Sequence, residues 1–232
     1  MIVLLVLTGL VSGLLTSIFT LPNGTEAGFM SGMIFAVLLT ACLAIWGVVP
    51  SVWKAWGIIL VVTAAYAVAL YTAVGIQMRY PQIVPTAEQW DMGTNEPASP
   101  IALFLGGLVG GFLVLGAVAF FCRPGISRGT LARTALLGAL LGGVLGVAGW
   151  ALRSSVGAAV WHLFHAFHLT PSWERSPRTQ FHDEYDYTNS SRMYSLYVVW
   201  QTGVALAAGI LLRPLANLEK KERVRIIGHL DG

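Results

Sequence analysis

The residues best suited to chemistry are histidines, and four of the five fall between positions 160 and 185. Trp161-His162-Leu163-Phe164-His165-Ala166-Phe167-His168 reads as a short amphipathic helix starting near Val156. On a helical wheel Val160, Leu163, Phe164 and Phe167 gather on one side and His162, His165 and His168 spread over the other. Histidines three positions apart can bring their imidazoles together on a helix. His182-Asp183-Glu184-Tyr185-Asp186 then offers a further imidazole and three carboxylates. Imidazole with carboxylate is the donor set of a divalent transition metal such as Zn²⁺, Cu²⁺, Ni²⁺ or Fe²⁺. One expectation is therefore a metal site built from His162, His165, His168, His182, Asp183 and Glu184.

Two other readings fit the same residues. Imidazole titrates near neutral pH, so the cluster can serve as a pH sensor. A helix at a membrane face must also show polar groups to water, and the segment lacks the two-histidine HExxH spacing of a zinc protease. A haem held between spans is disfavoured, because no histidine lies inside an apolar run.

Those runs are what must position the histidines. Six segments, 2–20, 28–48, 56–76, 101–121, 133–152 and 194–212, are each about twenty residues long, the length a helix needs to cross a bilayer. Arg133, at the first position of the fifth, is the one Asp, Glu, Lys or Arg among them. The 232 residues are 56% hydrophobic and only 11% charged, against about a quarter charged in a soluble domain. The expectation is an all-α integral membrane protein, a six-transmembrane-helix bundle with a short amphipathic helix in the outer loop 153–192. Residues 1–214 form one domain and 215–232 a basic juxtamembrane tail. Residues 1–20 lack a positive n-region, which argues against a cleaved secretory signal.

Orientation follows from the cationic loops. Lys54, the group Arg123, Arg128 and Arg133, and the group Arg213, Lys220, Lys221, Arg223 and Arg225 fall on one side if all six runs span. The opposite loops carry Glu26, then Arg79 with Glu88, Asp91 and Glu96, then a balanced 153–192 segment. Both termini are thus expected in the cytoplasm, of a bacterial plasma membrane, with the tail facing anionic lipid. The only basic cluster adjoins the last span, so nothing marks a nucleic-acid surface. Trp46, Trp53, Trp56, Tyr80, Trp90, Trp150, Tyr194 and Tyr197 fall where an interfacial aromatic belt belongs. Asn23-Gly24-Thr25 and Asn189-Ser190-Ser191 match the N-glycosylation pattern on the outer side, with chance as the default explanation.

Small residues recur every fourth position in five spans. Gly9 and Gly13, Gly28 and Gly32, Gly106 and Gly110, and the row Gly138, Gly142 and Gly146 mark expected faces of close helix packing, onto helices of this chain or of a partner. Gln201, about two turns into the last span, needs a hydrogen-bond partner there. Gly9–Gly13 resembles Gly107–Gly111, which raises an inverted repeat of three spans, although the loop lengths of the two halves do not correspond. Cys42 and Cys122 belong to apolar runs and read as packing residues.

With no Asp, Glu, Lys, Arg or His at mid-depth, a proton relay or proton-driven antiporter is disfavoured. No phosphate-cradling loop, catalytic triad or paired intramembrane carboxylate is visible. Two functions remain. The first is a non-catalytic scaffold or accessory subunit, packed against a membrane-protein partner or a second copy. The second is a small permease for a metal ion or neutral solute, with the histidine-rich segment as its vestibule.

Overall fold

The computed structural model describes residues 1–19, 25–79, 99–123, 125–169 and 194–213, with backbone alone at 25–28, 77 and 78. Among these residues every regular element is helical: α1 Ile2–Phe19, α2 Thr25–Ile45, α3 Val52–Arg79, α4 Pro100–Cys122, α5 Arg128–Ala151, α6 Ala158–Ala166 and α7 Tyr194–Arg213. Five of them (α1, α3, α4, α5 and α7) are long and apolar enough to cross a membrane. The described side chains of α2, Phe29–Ile45, make a shorter apolar segment. At about 1.5 Å per residue, the 24 residues of α5 measure roughly 36 Å, against about 30 Å of hydrocarbon.

The residues that start and stop these helices act locally. Pro100 opens α4, where its missing N–H costs nothing. Ser127 caps α5 by accepting a hydrogen bond from the Thr130 amide at 3.2 Å, so α5 begins five residues before the expected 133 and takes Arg128 and Arg133 into its first turns. Beyond α5 a π-helical turn, Arg153–Gly157, leads directly into α6. The amphipathic helix is therefore a continuation of α5 and not an island in a loop. Arg153 braces the junction: its guanidinium lies over the Trp150 ring at 4.1 Å and donates to the Trp150 carbonyl at 3.1 Å.

Helices α1 to α5 pack in chain order, each against the next, and α4 and α5 make the closest pair. Helix α7 closes the arrangement. It meets α1 at Gly9 and Gly13, α5 at Gly149 and Gly203, and α4 at Gly110. Its Trp200 ring reaches Phe35 of α2 at 6.3 Å and Tyr66 of α3 at 5.0 Å. One end of the bundle carries Arg123, where the guanidinium donates to the Leu211 carbonyl at 2.6 Å and ties α4 to the end of α7. The other carries α6, held by Val160 and Phe164 against Tyr194 and Val198.

One expectation is corrected by packing. Tyr194 and Tyr197 are core residues and not part of an interfacial belt, because α7 turns them inward; Trp46, Trp53 and Trp56 are exposed, as a belt requires. On α6 the buried stripe is Val160 and Phe164 alone, since Leu163 is 41% and Phe167 66% exposed. Tyr80, Trp90, both glycosylation patterns and the tail 215–232 lie outside the described residues.

Candidate functional site

The glycine rows do their packing inside this chain. A Cβ on Gly107 would overlap the Gly142 carbonyl, and one on Gly111 the Gly138 carbonyl. Gly138 and Gly142 meet Gly111 and Gly107 in return, and Gly146 meets the Leu103 carbonyl. The α4 and α5 backbones therefore touch along about two turns, an approach that side chains at these glycines would prevent. Gly9 and Gly13 bring α1 onto α7, with Cβ positions 2.6 Å from Thr202 Cα and 2.7 Å from Val198 Cα. Gly32 faces Thr63 and Tyr66 of α3, Gly106 faces Ala69 and Ala73 of α3, and Gly110 lies between Ala69 and Trp200. Gly28 has no described surroundings.

Near the α6 end these small residues leave a cavity of about 70 Å³, bounded by five helices. Ala69 and Ala73 of α3, Gly106 and Gly107 of α4 and Gly146 of α5 form its walls. Tyr197 and Trp200 of α7, Tyr66 of α3 and Ser31 of α2 complete them. Among the described residues the lining holds no carboxylate, amine, guanidinium or imidazole. Its floor is an aromatic cluster, in which Tyr66 stands edge-on to Trp200 and Phe35 lies 6.0 Å from Tyr66. Such a space takes an apolar group, and tyrosine and serine hydroxyls at its edge supply the few polar contacts.

Behind the floor sits Gln201, wholly buried. Its Nε2 donates to Thr16 Oγ1 of α1 at 3.1 Å, which supplies the partner the sequence demanded. The Tyr66 hydroxyl lies against the same amide. Oε1 has no hydrogen-bond partner, and neither does the buried Ser12 Oγ one turn below Thr16 on α1.

The histidines are placed differently. His165 stacks on the Trp161 ring at 3.7 Å, and its Nδ1 is 2.9 Å from the Trp161 carbonyl oxygen. His162 meets the same indole edge-on at 5.1 Å. His168 follows α6 in the left-handed region, at φ 54°. Among the described residues no group of three His, Cys, Asp or Glu side chains is gathered as metal ligands. His182, Asp183 and Glu184 lie outside the described residues. Cys42 and Cys122 are buried free thiols.

The cavity walls escape sequence reasoning, apart from the glycines. Ser31, Tyr66 and Tyr197 look like any hydroxyls in apolar runs, and only Gln201 stands out by type. A usable signal was available in α3, where Ala65, Ala69 and Ala73 put small residues on one face beside Tyr66. Compared with known protein families, characterised proteins and solved structures, the chain matches none.

Proposed function

We propose that this chain is a six-span plasma-membrane protein, of bacterial type and with both termini cytoplasmic, that binds an uncharged and mainly apolar molecule in the cavity between α3, α4, α5 and α7. The cavity carries the reading: a space whose described walls hold no carboxylate, imidazole or cationic side chain suits a neutral guest, as charge at that depth would demand a counter-charge. Its volume is about half of the roughly 150 Å³ apolar cavity known to take benzene or xenon, so it suits a short alkyl segment more than a whole lipid.

The topology is supported by where the cations fall. Among the described residues Lys54, Arg123, Arg128, Arg133 and Arg213 stand at or near the Arg123 end and Arg79 and Arg153 at the other, which supports a cytoplasmic placement of the first end by the positive-inside rule. That puts the cavity in the outer half. Of the two sequence expectations the permease for a neutral solute gains from the cavity. The scaffold reading rested on glycine rows, and these close onto helices of the same chain.

The test is photolabelling in nanodiscs with a short alkyl diazirine, followed by mapping of the modified residues. Labels on Ala69, Ala73 or Leu103, reduced by excess unreactive alkane, are expected. Labels confined to lipid-facing residues such as Leu137 and Leu140 defeat the binding reading. Cysteines placed at positions 127 and 168 should react with an impermeant thiol reagent from opposite faces of the membrane.

A further inference from the structure

Building on that reading of the cavity, we propose that its guest carries a hydrogen-bond acceptor, a carbonyl or ether oxygen on a short apolar body, and that the Tyr66 hydroxyl donates to it. The direction follows from the amide of Gln201. Its Oε1 has no hydrogen-bond partner, so the contact between this amide and the Tyr66 hydroxyl runs through Nε2. An amide nitrogen carries two protons and accepts nothing. One goes to Thr16 Oγ1 at 3.1 Å, and the other is offered to Tyr66 Oη. The phenol oxygen is therefore the acceptor in that pair, and its own proton needs a second partner.

Tyr66 lines the cavity, and Gln201 is wholly buried behind its floor. A phenol proton lies close to the ring plane, on one side of the oxygen or the other. The side facing Gln201 already holds an N–H, and two donors do not point at each other. The Tyr66 proton accordingly turns to the opposite side, where the cavity is. A buried O–H without an acceptor is costly, and more so where water is scarce. The nearby wall residues Ala69, Leu70, Ala73 and Leu103 have no side-chain acceptor to offer. Ser31 and Tyr197, the other hydroxyls on the wall, already have interactions of their own. A guest carbonyl or ether oxygen completes a chain in which Gln201 donates to Tyr66 and Tyr66 to the guest, each bond strengthening the next. A hydrocarbon of the same length fills the space but leaves the proton unpaired.

The experiment compares two photoreactive probes in nanodiscs holding the full chain: a short alkyl diazirine bearing a methyl ether, and its isostere with CH₂ in place of the oxygen. Labelling is read relative to Leu137 and Leu140 on the lipid face, which cancels unequal partitioning into the bilayer. On that scale the ether should label Ala69, Ala73 or Leu103 about two- to tenfold more than the hydrocarbon, the span of one net hydrogen bond. In Tyr66→Phe, which keeps the ring and its packing, the ratio should fall to about one while labelling continues. Gln201→Leu should lower the ratio less, since the tyrosine keeps its proton and loses only the amide that orients it. Equal labelling of the native protein, or a preference for the hydrocarbon, overturns the inference but leaves the apolar cavity standing. So does an ether preference that survives Tyr66→Phe, or a loss in Gln201→Leu at least as large, which would make the amide itself the donor. Absence of label from both probes at these residues defeats the cavity reading as well.

Discussion

The two ends of the bundle solve the same packing problem with opposite residue sizes. Towards the Arg123 end, α2, α3 and α4 supply Leu39, Leu43, Ile58, Val114 and Val118, all fully buried, and α7 answers with Ala205 and Ala208. Towards the α6 end the order reverses: α3 and α4 supply Ala69, Ala73, Gly106 and Gly110, and α7 answers with Trp200, Tyr197 and Tyr194. At these positions of α7 large meets small, although Val204 and Leu212 add branched side chains at the Arg123 end. The interlock is tight at one end. At the other, rigid rings cannot follow the glycine surface closely, and the cavity is the remainder. A binding space thus arises where aromatic residues face missing side chains, and a dry seal where branched aliphatics face alanine.

Substitutions can break this contrast, and the largest effect belongs to the seam that allows no side chain at all. Gly111→Leu drives a side chain into the Gly138 backbone of α5. Overpacking a core commonly costs about 1–3 kcal/mol, and here neither backbone can move without losing its helix, so the cost should exceed that range. Size-exclusion chromatography in mild detergent should show loss of the folded species. Gly75→Leu, where nothing lies within 4 Å of the added Cβ, should elute as the native protein does. The next effect sharpens the comparison between ends. Leu39→Ala opens a void in the sealed half and should cost about 2–5 kcal/mol in reversible unfolding. Leu103→Ala, at the cavity wall, only enlarges an existing space and should cost roughly half as much or less. Equal losses would mean that the two halves are packed alike.

The helices themselves were legible because lipid-crossing segments must be long and uncharged, and five of the expected runs appear as long apolar helices. Helix termini were less legible. The Ser127 cap is a local hydrogen bond that apolar periodicity does not register, and it lets α5 extend five residues ahead of the expected span. On α6 the wheel does not say how much of the apolar side is covered by protein. A helical wheel assigns Leu163 and Phe167 to the apolar side with Val160 and Phe164, but the groove offered by α1 and α7 admits only one stripe. Tyr194 and Tyr197 were misplaced because tyrosine suits both a membrane interface and a core, and only the neighbours decide. For the cavity, Gln201 could be singled out by type, whereas Tyr66 becomes meaningful only once α3 and α7 are side by side.

A smaller effect tests the cap. Ser127→Ala removes the acceptor for the Thr130 amide and should cost about 1 kcal/mol, seen as earlier hydrogen exchange at residues 128–131 with the rest of α5 unchanged. Loss of protection along the whole helix would mean that the cap, and not the glycine seam, holds α5 in place.

The smallest expected effect concerns the polar group that most resembles structural glue. Interhelical hydrogen bonds in membrane bundles average roughly 0.6 kcal/mol, and Gln201 makes one such bond while carrying an unpaired Oε1. Gln201→Leu removes both the bond and the orphaned acceptor, so the two terms oppose each other. Stability should therefore change by less than about 1 kcal/mol in either direction, whereas Thr16→Val, which keeps the buried amide but removes its Thr16 partner, should destabilise more than Gln201→Leu. Reversible unfolding of the two variants and the double variant gives the coupling directly. If Gln201→Leu proves the worse of the two, the amide is holding α1 to α7. The reverse order means that the bond itself contributes little and that the cost lies in a buried amide deprived of its partner.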